Sequence, residues 1–266
     1  MEQDLTALRA VLGECDEEIT RALKKRMECI EGIIQYKRRH GMPVLQPEQE
    51  KVQLDAVGRM VKDAPFGEEI LHIFEGIIEN SRKIQAKSLF DRNILLIGFM
   101  GAGKSTVAAC LGRMLAMETV EMDAYIEAKE GMKISKIFEV YGEEYFRNCE
   151  SNTLIELRKK DHVVISCGGG VPLRSENVRL MKENGYAVWL TADPKTILSR
   201  VKHSTARPLL NGHMNLEYIQ ELMESRREKY VAAADVIVDT SGKHVMEICE
   251  ELLQKISGLQ ESRSGS

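Results

Sequence analysis

What this sequence lacks narrows its class before any motif is read. No apolar run reaches the roughly 20 uninterrupted residues of a membrane-spanning helix. No charged-then-apolar leader opens the chain, so a cytoplasmic protein with no membrane partner is expected. The six cysteines, Cys15, Cys29, Cys110, Cys149, Cys167 and Cys249, form no C-x-x-C pair and no zinc-like spacing. They read as reduced thiols. Positive charge is not in excess: 37 Lys and Arg against 41 Asp and Glu leave a net charge of −4. That balance argues against nucleic acid or an anionic membrane as the main partner, while local basic sites for small anions remain open. At 43% apolar and 29% charged over 266 residues the composition is that of a soluble chain, with enough length for one large domain or two ordinary ones.

The strongest signal is Asn93-Ile-Leu-Leu-Ile-Gly-Phe-Met-Gly-Ala-Gly-Lys-Ser-Thr106. Ile94 to Ile97 reads as a buried strand, and Gly98-x-x-x-x-Gly103-Lys104-Ser105 matches the phosphate-binding loop that opens a helix. Glycines let consecutive N–H groups turn inward around a polyphosphate, and the helix N-terminus adds a favourable dipole. Gly98, Gly101, Ala102, Gly103, Lys104, Ser105 and Thr106 are therefore the candidate nucleotide site, with Lys104 for the β/γ-phosphates and the Ser105 hydroxyl for Mg²⁺.

Beyond the loop, helical and apolar strand-like stretches alternate. Strands are expected at 119–123, 163–166, 187–190 and 236–238, and helices at 107–115 and near 134–159, 175–184, 194–202, 215–231 and 243–256. Such alternation implies a parallel sheet with helices on both faces, and ligands gather at the carboxyl ends of its strands. Asp123, the Gly168-Gly169-Gly170 run and the phosphate loop all fall there. Asp123 reads either as a group facing the cleft or as a cap on the end of its strand. Arg147, Arg200, Arg207 and Arg226, at loop and helix ends, suggest anion clamps and a closing lid.

From about Asn93 to Ile256 the combination resembles shikimate kinase. The matching pieces are GFMGAGKST at 98–106, Asp123, Ile137-Phe138, Gly142-Glu143, Phe146-Arg147, the triple glycine, Arg207-Pro-Leu-Leu and Arg226-x-x-x-Tyr230. The resemblance implies ATP as co-substrate with Mg²⁺, and Asp123 as the group that accepts or orients the proton of the shikimate 3-hydroxyl. It further implies that Arg147 and Arg226 clamp the shikimate carboxylate and that Gly168, Gly169 and Gly170 offer backbone N–H groups. Arg207 would close over the transferring phosphate and Arg200 would stack on adenine. Glu121 departs from the family's usual Asp but keeps the charge.

The first ninety residues read differently. Two interleaved series, Leu5, Leu12, Ile19, Ile33 and Leu8, Cys15, Ala22, Cys29, Tyr36, repeat every seven residues, as in a long helix packed along another helix. Gly41 and Pro43 end it, and at about 1.5 Å per residue it would be roughly 50 Å long, so a second copy of the chain is the expected cover. Arg26 interrupts the seam, Lys37 returns to its face three turns later, and Arg9 points away from it. Either the two cations snorkel to solvent or they hold an anion. A second helix is expected from Pro47 to about Lys62 and a third from about Glu68 to Leu89, carrying Ser81 and Gln85 as a polar pair on its apolar stripe.

Residues 5–86 resemble the all-helical chorismate mutases, intertwined dimers of three-helix protomers, through Leu8-Arg9, Asp16-Glu17, Arg26, Lys37, Pro43-Val44, Glu50 and Ser81-x-x-x-Gln85. The resemblance implies a pericyclic rearrangement of chorismate to prephenate without a cofactor. Arg26 and the partner's Arg9 would hold carboxylates, Lys37 and Gln85 the ether oxygen, Glu50 the ring hydroxyl, and Ser81 a carboxylate. Gln46 and Gln49 stand where well-known members carry Asp and Arg.

The expectation is thus a two-domain, bifunctional enzyme of aromatic amino-acid biosynthesis, dimeric through its first helices. An all-α domain at 1–90 precedes an α/β P-loop domain at 91–258, and 259–266 form a disordered tail. The alternative is a shikimate kinase whose helical part only dimerises or senses a ligand. A kinase for another small hydroxy acid or a nucleotide, and a nucleotide-binding switch without turnover, are the further rivals.

Overall fold

The computed structural model describes residues 4–201 and 215–264, which divide into two units, Met1–Leu89 and Phe90–Ser266. The first unit is helical. Helix α1 (Leu5–His40) begins at Asp4, whose carboxylate accepts the Thr6 backbone N–H at 3.0 Å, and ends at Gly41 with a left-handed φ of 59°. Helix α2 (Pro47–Val61) opens on a proline, whose missing N–H costs nothing in a first turn. Helix α3 is Gly67–Leu89. The buried residues of α1 are Ile30, Ile34 and Lys37, and those of α3 are Ile78, Ser81, Gln85 and Ala86. The amino-terminal half of the sevenfold seam is bare in the protomer: Leu5, Leu12 and Ile19 are exposed, Leu12 by 61%.

The second unit is built on a five-stranded parallel sheet in the order β2-β3-β1-β4-β5, from β1 (Asn93–Ile97), β2 (Glu118–Glu121), β3 (Val163–Ser166), β4 (Gly185–Thr191) and β5 (Val236–Asp239). Strand β1 lies at the centre, with Leu95 opposite Ile165 on one side and Ala187 on the other. Leu95, Ile97 and Ile165 share a core with Ile126 of α5 (Met122–Glu130), Phe146 of α6 (Ile134–Leu157) and Tyr230 of α9 (Leu216–Ala233). Ile94 and Leu96, which alternate with them along the strand, are equally buried. Helix α4 (Lys104–Leu115) packs against α10 (Val245–Ser264), where the Cys249 thiol reaches the Val107 carbonyl at 3.9 Å. Helices α7 (Ser175–Asn184) and α8 (Pro194–Val201) complete the described set.

At the amino ends of the strands the Asn93 side chain ties three segments together. Its amide donates to the Lys160 carbonyl at 2.8 Å and to Asn184 Oδ1 at 2.7 Å, and its Oδ1 accepts the Val163 N–H at 3.0 Å.

Three expectations need correction. Strand β2 stops at Glu121, and Met122 and Asp123 already belong to α5: Met122 and Ile126, four residues apart, are both buried, which is helical spacing. The helix expected to start at Val107 starts at Lys104, directly on the phosphate loop. Past residue 258, where a disordered tail is expected, α10 continues to Ser264, and the Gln260 amide donates to Asp91 at 2.9 Å.

Candidate active sites

Strand β1 delivers the chain into the phosphate loop at its carboxyl end. Gly98 there has a φ of 146°, and a Cβ on it would lie 2.3 Å from the Leu190 carbonyl oxygen, so neither the conformation nor the space admits a side chain. Lys104 folds back over the loop, its Nζ donating to the carbonyls of Gly98 at 2.9 Å and Phe99 at 3.1 Å. Ser105 Oγ donates to Glu121 Oε2 at 3.1 Å, which sets a hydroxyl beside a carboxylate at the mouth of the loop. Among the described residues no cluster of three or more His, Cys, Asp or Glu could hold a metal alone. An oxygen pair of this kind fits Mg²⁺, which keeps several waters and leans on phosphate oxygens. Arg200 of α8 donates to the Gly101 carbonyl at 3.2 Å and to Thr240 Oγ1 at 2.9 Å, tying the loop to the end of β5. Ala102, Gly103 and Thr106 complete the loop and the first turn of α4.

The triple glycine after β3 is the meeting point of the other groups. A Cβ on Gly168 would stand 3.0 Å from Asp123 Oδ1 and 2.6 Å from Glu150 Oε1. One on Gly169 would stand 3.5 Å from the Gly98 carbonyl oxygen and 3.8 Å from the Tyr230 hydroxyl, and one on Gly170 would collide with Arg147 Nη1 at 1.9 Å. Asp123 and the phosphate loop therefore flank one glycine turn.

Arg147, 8% exposed, is held on two sides: Nη1 donates to Glu150 Oε2 at 2.7 Å, while Nη2 and Nε donate to Glu143 Oε1 at 2.7 and 3.2 Å. Burial works against its charge, but the two glutamates outweigh that effect and raise its pKa. Glu150 is 1% exposed, and burial pushes its carboxyl up to about 7 against the pull of Arg147, with Asp123 adding to the rise. Its Oε1 has no hydrogen-bond partner among the described residues. Arg226 approaches from α9, its guanidinium 5.8 Å from the centre of the Phe99 ring. One turn on, the buried Tyr230 hydroxyl donates to the Gly169 carbonyl at 2.6 Å, and burial pushes its pKa up to about 12. Arg207 lies outside the described residues.

Glu150 is the residue that sequence reasoning missed. The signal was available: it stands three positions after Arg147 on one helix, the spacing of a facing pair.

In the helical unit the two seam cations are not in solvent. Lys37 is 5% exposed and donates to the Val44 carbonyl at 2.8 Å, and Arg26, half-buried, donates through Nη1 to Ser81 Oγ. Burial lowers the pKa of both, with Glu50 opposing the change at Lys37. Ser81 also donates to the Ile77 carbonyl at 2.7 Å. Gln85 is buried, and its Oε1 has no partner among the described residues. Glu50 faces α3, where Arg82 Nε lies 3.2 Å from its Oε1. Arg9 stays exposed on α1, apart from this groove.

A phosphate loop on the central strand of a parallel sheet, with a carboxylate and two arginines gathered over the next strand end, defines a P-loop phosphotransferase preceded here by a three-helix unit. The family model described as shikimate kinase matches residues 100–257, more than half of the sequence, and that described as chorismate mutase type II matches residues 8–86. The chain belongs to the shikimate kinase family and carries a chorismate mutase type II domain ahead of it. Shikimate kinases of Dehalococcoides mccartyi (strain ATCC BAA-2266 / KCTC 15142 / 195) and Persephonella marina are 42% and 43% identical to it, over 93% and 99% of their own lengths and 62% of this chain in each case. Among solved structures, shikimate kinase from Acinetobacter baumannii in complex with shikimate matches with a TM-score of 0.59 and 32% identity, covering 67% of this chain and 98% of that one. The enzyme from Aquifex aeolicus matches at 0.56 and 39%, covering 63% and 98%. Among the described residues no helix is long and apolar enough to cross a membrane.

Proposed function

We propose that this chain catalyses two reactions: transfer of the ATP γ-phosphoryl group to the 3-hydroxyl of shikimate, and rearrangement of chorismate to prephenate. The convergence of Asp123, Arg147 and the phosphate loop on Gly168–Gly170 carries the first assignment. Phosphoryl transfer asks for alignment and charge neutralisation more than covalent chemistry. Shikimate offers one carboxylate to the paired arginines Arg147 and Arg226 and one hydroxyl to Asp123. Arg147 comes pre-ordered by Glu143 and Glu150, so little entropy is lost when the carboxylate arrives. Asp123 takes or orients the proton of the attacking hydroxyl, while Lys104 and, by the family resemblance, Arg207 balance charge on the phosphoryl oxygens. Arg200, bonded to the Gly101 carbonyl and Thr240, would stack on adenine. Ser105 and Glu121 would hold Mg²⁺, which when bound neutralises phosphate charge.

In the helical groove Arg26 and Lys37 are held in advance for a dianion, with Ser81 and Gln85 as further polar contacts. Catalysis there is placement and electrostatics: cations hold the two carboxylates of a folded conformer, and Lys37 and Gln85 donate to the ether oxygen as its bond breaks. Glu50 accepts from the ring hydroxyl. The second copy that would cover Leu5, Leu12 and Ile19 also brings the partner's Arg9, so a homodimer is part of this reading. The free thiols and the dependence on ATP suit the reducing cytoplasm.

Two assays on the full chain test the proposal. ADP release should depend on shikimate, with Arg147→Ala and Arg226→Ala each raising the shikimate KM. Chorismate should disappear above its uncatalysed rate. Shikimate-independent or absent ADP release overturns the first assignment, and chorismate loss at background overturns the second.

A further inference from the structure

The helical groove contains a cation that the mutase reading above does not use. Arg82 follows Ser81 on α3, and its side chain, 18% exposed, places Nε 3.2 Å from Glu50 Oε1, itself 24% exposed. Glu50 thus stands between two positive groups, since it also acts electrostatically on Lys37. The first turn of α2 supplies no base of its own: Pro47 is followed by Glu48, Gln49 and Glu50. Charge counting then becomes informative. Arg26, Lys37 and Arg82 against Glu50 leave the groove of one protomer two positive charges in excess, the balance a dicarboxylate needs.

We infer that Arg82 is a positioning residue of the mutase site: it holds and neutralises the Glu50 carboxylate so that Lys37 stays available to the substrate. Without Arg82 the Glu50 carboxylate still acts on Lys37, a buried ammonium already bonded to the Val44 carbonyl. Removing Arg82 would cut the excess of two positive charges to one and leave the Glu50 carboxylate to compete with an incoming anion for Lys37. The contact is an ion pair at Nε, and what it supplies to the Glu50 carboxylate is a neutralising charge. Arg82 itself does not need to touch the substrate. The inference rests on chorismate being the ligand, and it adds a dependence that the mutase assignment alone does not predict.

The test is a double-mutant cycle on the full chain, with chorismate turnover as readout and far-ultraviolet circular dichroism with thermal melting as a control for folding of the helical unit. Arg82→Met keeps the packing of the stem and should raise the chorismate KM about tenfold, the scale of one lost partly buried charge partner. Arg82→Lys should recover most of that loss. In a Glu50→Gln background the same Arg82→Met change should cost less than about twofold, because no carboxylate remains to be neutralised. An Arg82→Met chain with wild-type kinetics overturns the inference, as does an equal cost of Arg82→Met with and without Glu50. If Arg82→Met does not fold, Arg82→Gln with and without Glu50→Gln decides in the same way. A wild-type chain that neither binds nor converts chorismate overturns the mutase reading together with this inference, whereas wild-type turnover indifferent to Arg82 overturns the inference alone.

Discussion

The two units face one problem, holding a small carboxylated ring, and meet it under opposite conditions. In the sheet unit the arginine proposed to bind the anion is surrounded before any ligand arrives: Arg147 has a glutamate on each side, a glycine turn against its guanidinium and a closed core beneath it. Everything described around it comes from one chain. In the helical unit Arg26 and Lys37 have single anchors, Ser81 and the Val44 carbonyl, while much of the apolar surface of α1 lies bare. A long strand-and-helix core can bury a charged site by itself, whereas three helices enclose less volume, and in the proposed dimer the remaining wall comes from the second copy.

The sharpest way to separate the units is Asp123→Asn. It should lower kinase kcat by roughly 10²- to 10⁴-fold, the usual worth of a positioned proton acceptor, and leave chorismate turnover unchanged. Loss of both activities would mean that the units depend on each other. Next in size is Leu12→Glu combined with Ile19→Glu on the exposed seam. Sedimentation should show the dimer splitting, and mutase activity should fall on the order of tenfold to a hundredfold, the value of one charged hydrogen bond from the partner's Arg9. Kinase activity should persist, and a mutase that survives as a monomer would break the comparison.

The smallest effect concerns Glu150. Its carboxyl is raised in the folded chain from 4.5 to about 7, chiefly by burial. The folded state therefore binds more protons than the unfolded one across that window, and stability falls as pH rises through it. Glu150→Gln should flatten this slope: melting temperatures measured from pH 4.5 to 7 should decline less steeply than in the wild type. Equal slopes would show that Arg147 holds Glu150 ionised throughout.

How much of this was legible from the residues follows from how local the signals are. The phosphate loop, its strand and its helix are adjacent in sequence, and the parallel sheet follows from simple alternation, so both could be read directly. Asp123 was located correctly in the chain but given to a strand, because Val120 and Met122 alternate as strand residues do, until Ile126 shows that the period has changed. Glu150 escaped notice because a glutamate three positions after an arginine reads as an ordinary surface ion pair until its burial is seen. Arg82 escaped for another reason. The buried pair Ser81 and Gln85 marks the stripe, and the next residue, about 100° around the helix, reads as surface until α2 is packed beside it.

The Asn93 knot bears on how the kinase unit moves. It fastens β1 to the segments leading into β3 and β4 at the edge of the sheet away from the glycine turn. With that margin fixed, adjustments during a catalytic cycle are confined to the opposite rim, where the loops are, and the strands act as a stiff handle. Backbone amides near Asn93 should accordingly exchange with deuterium slowest, whatever ligand occupies the cleft.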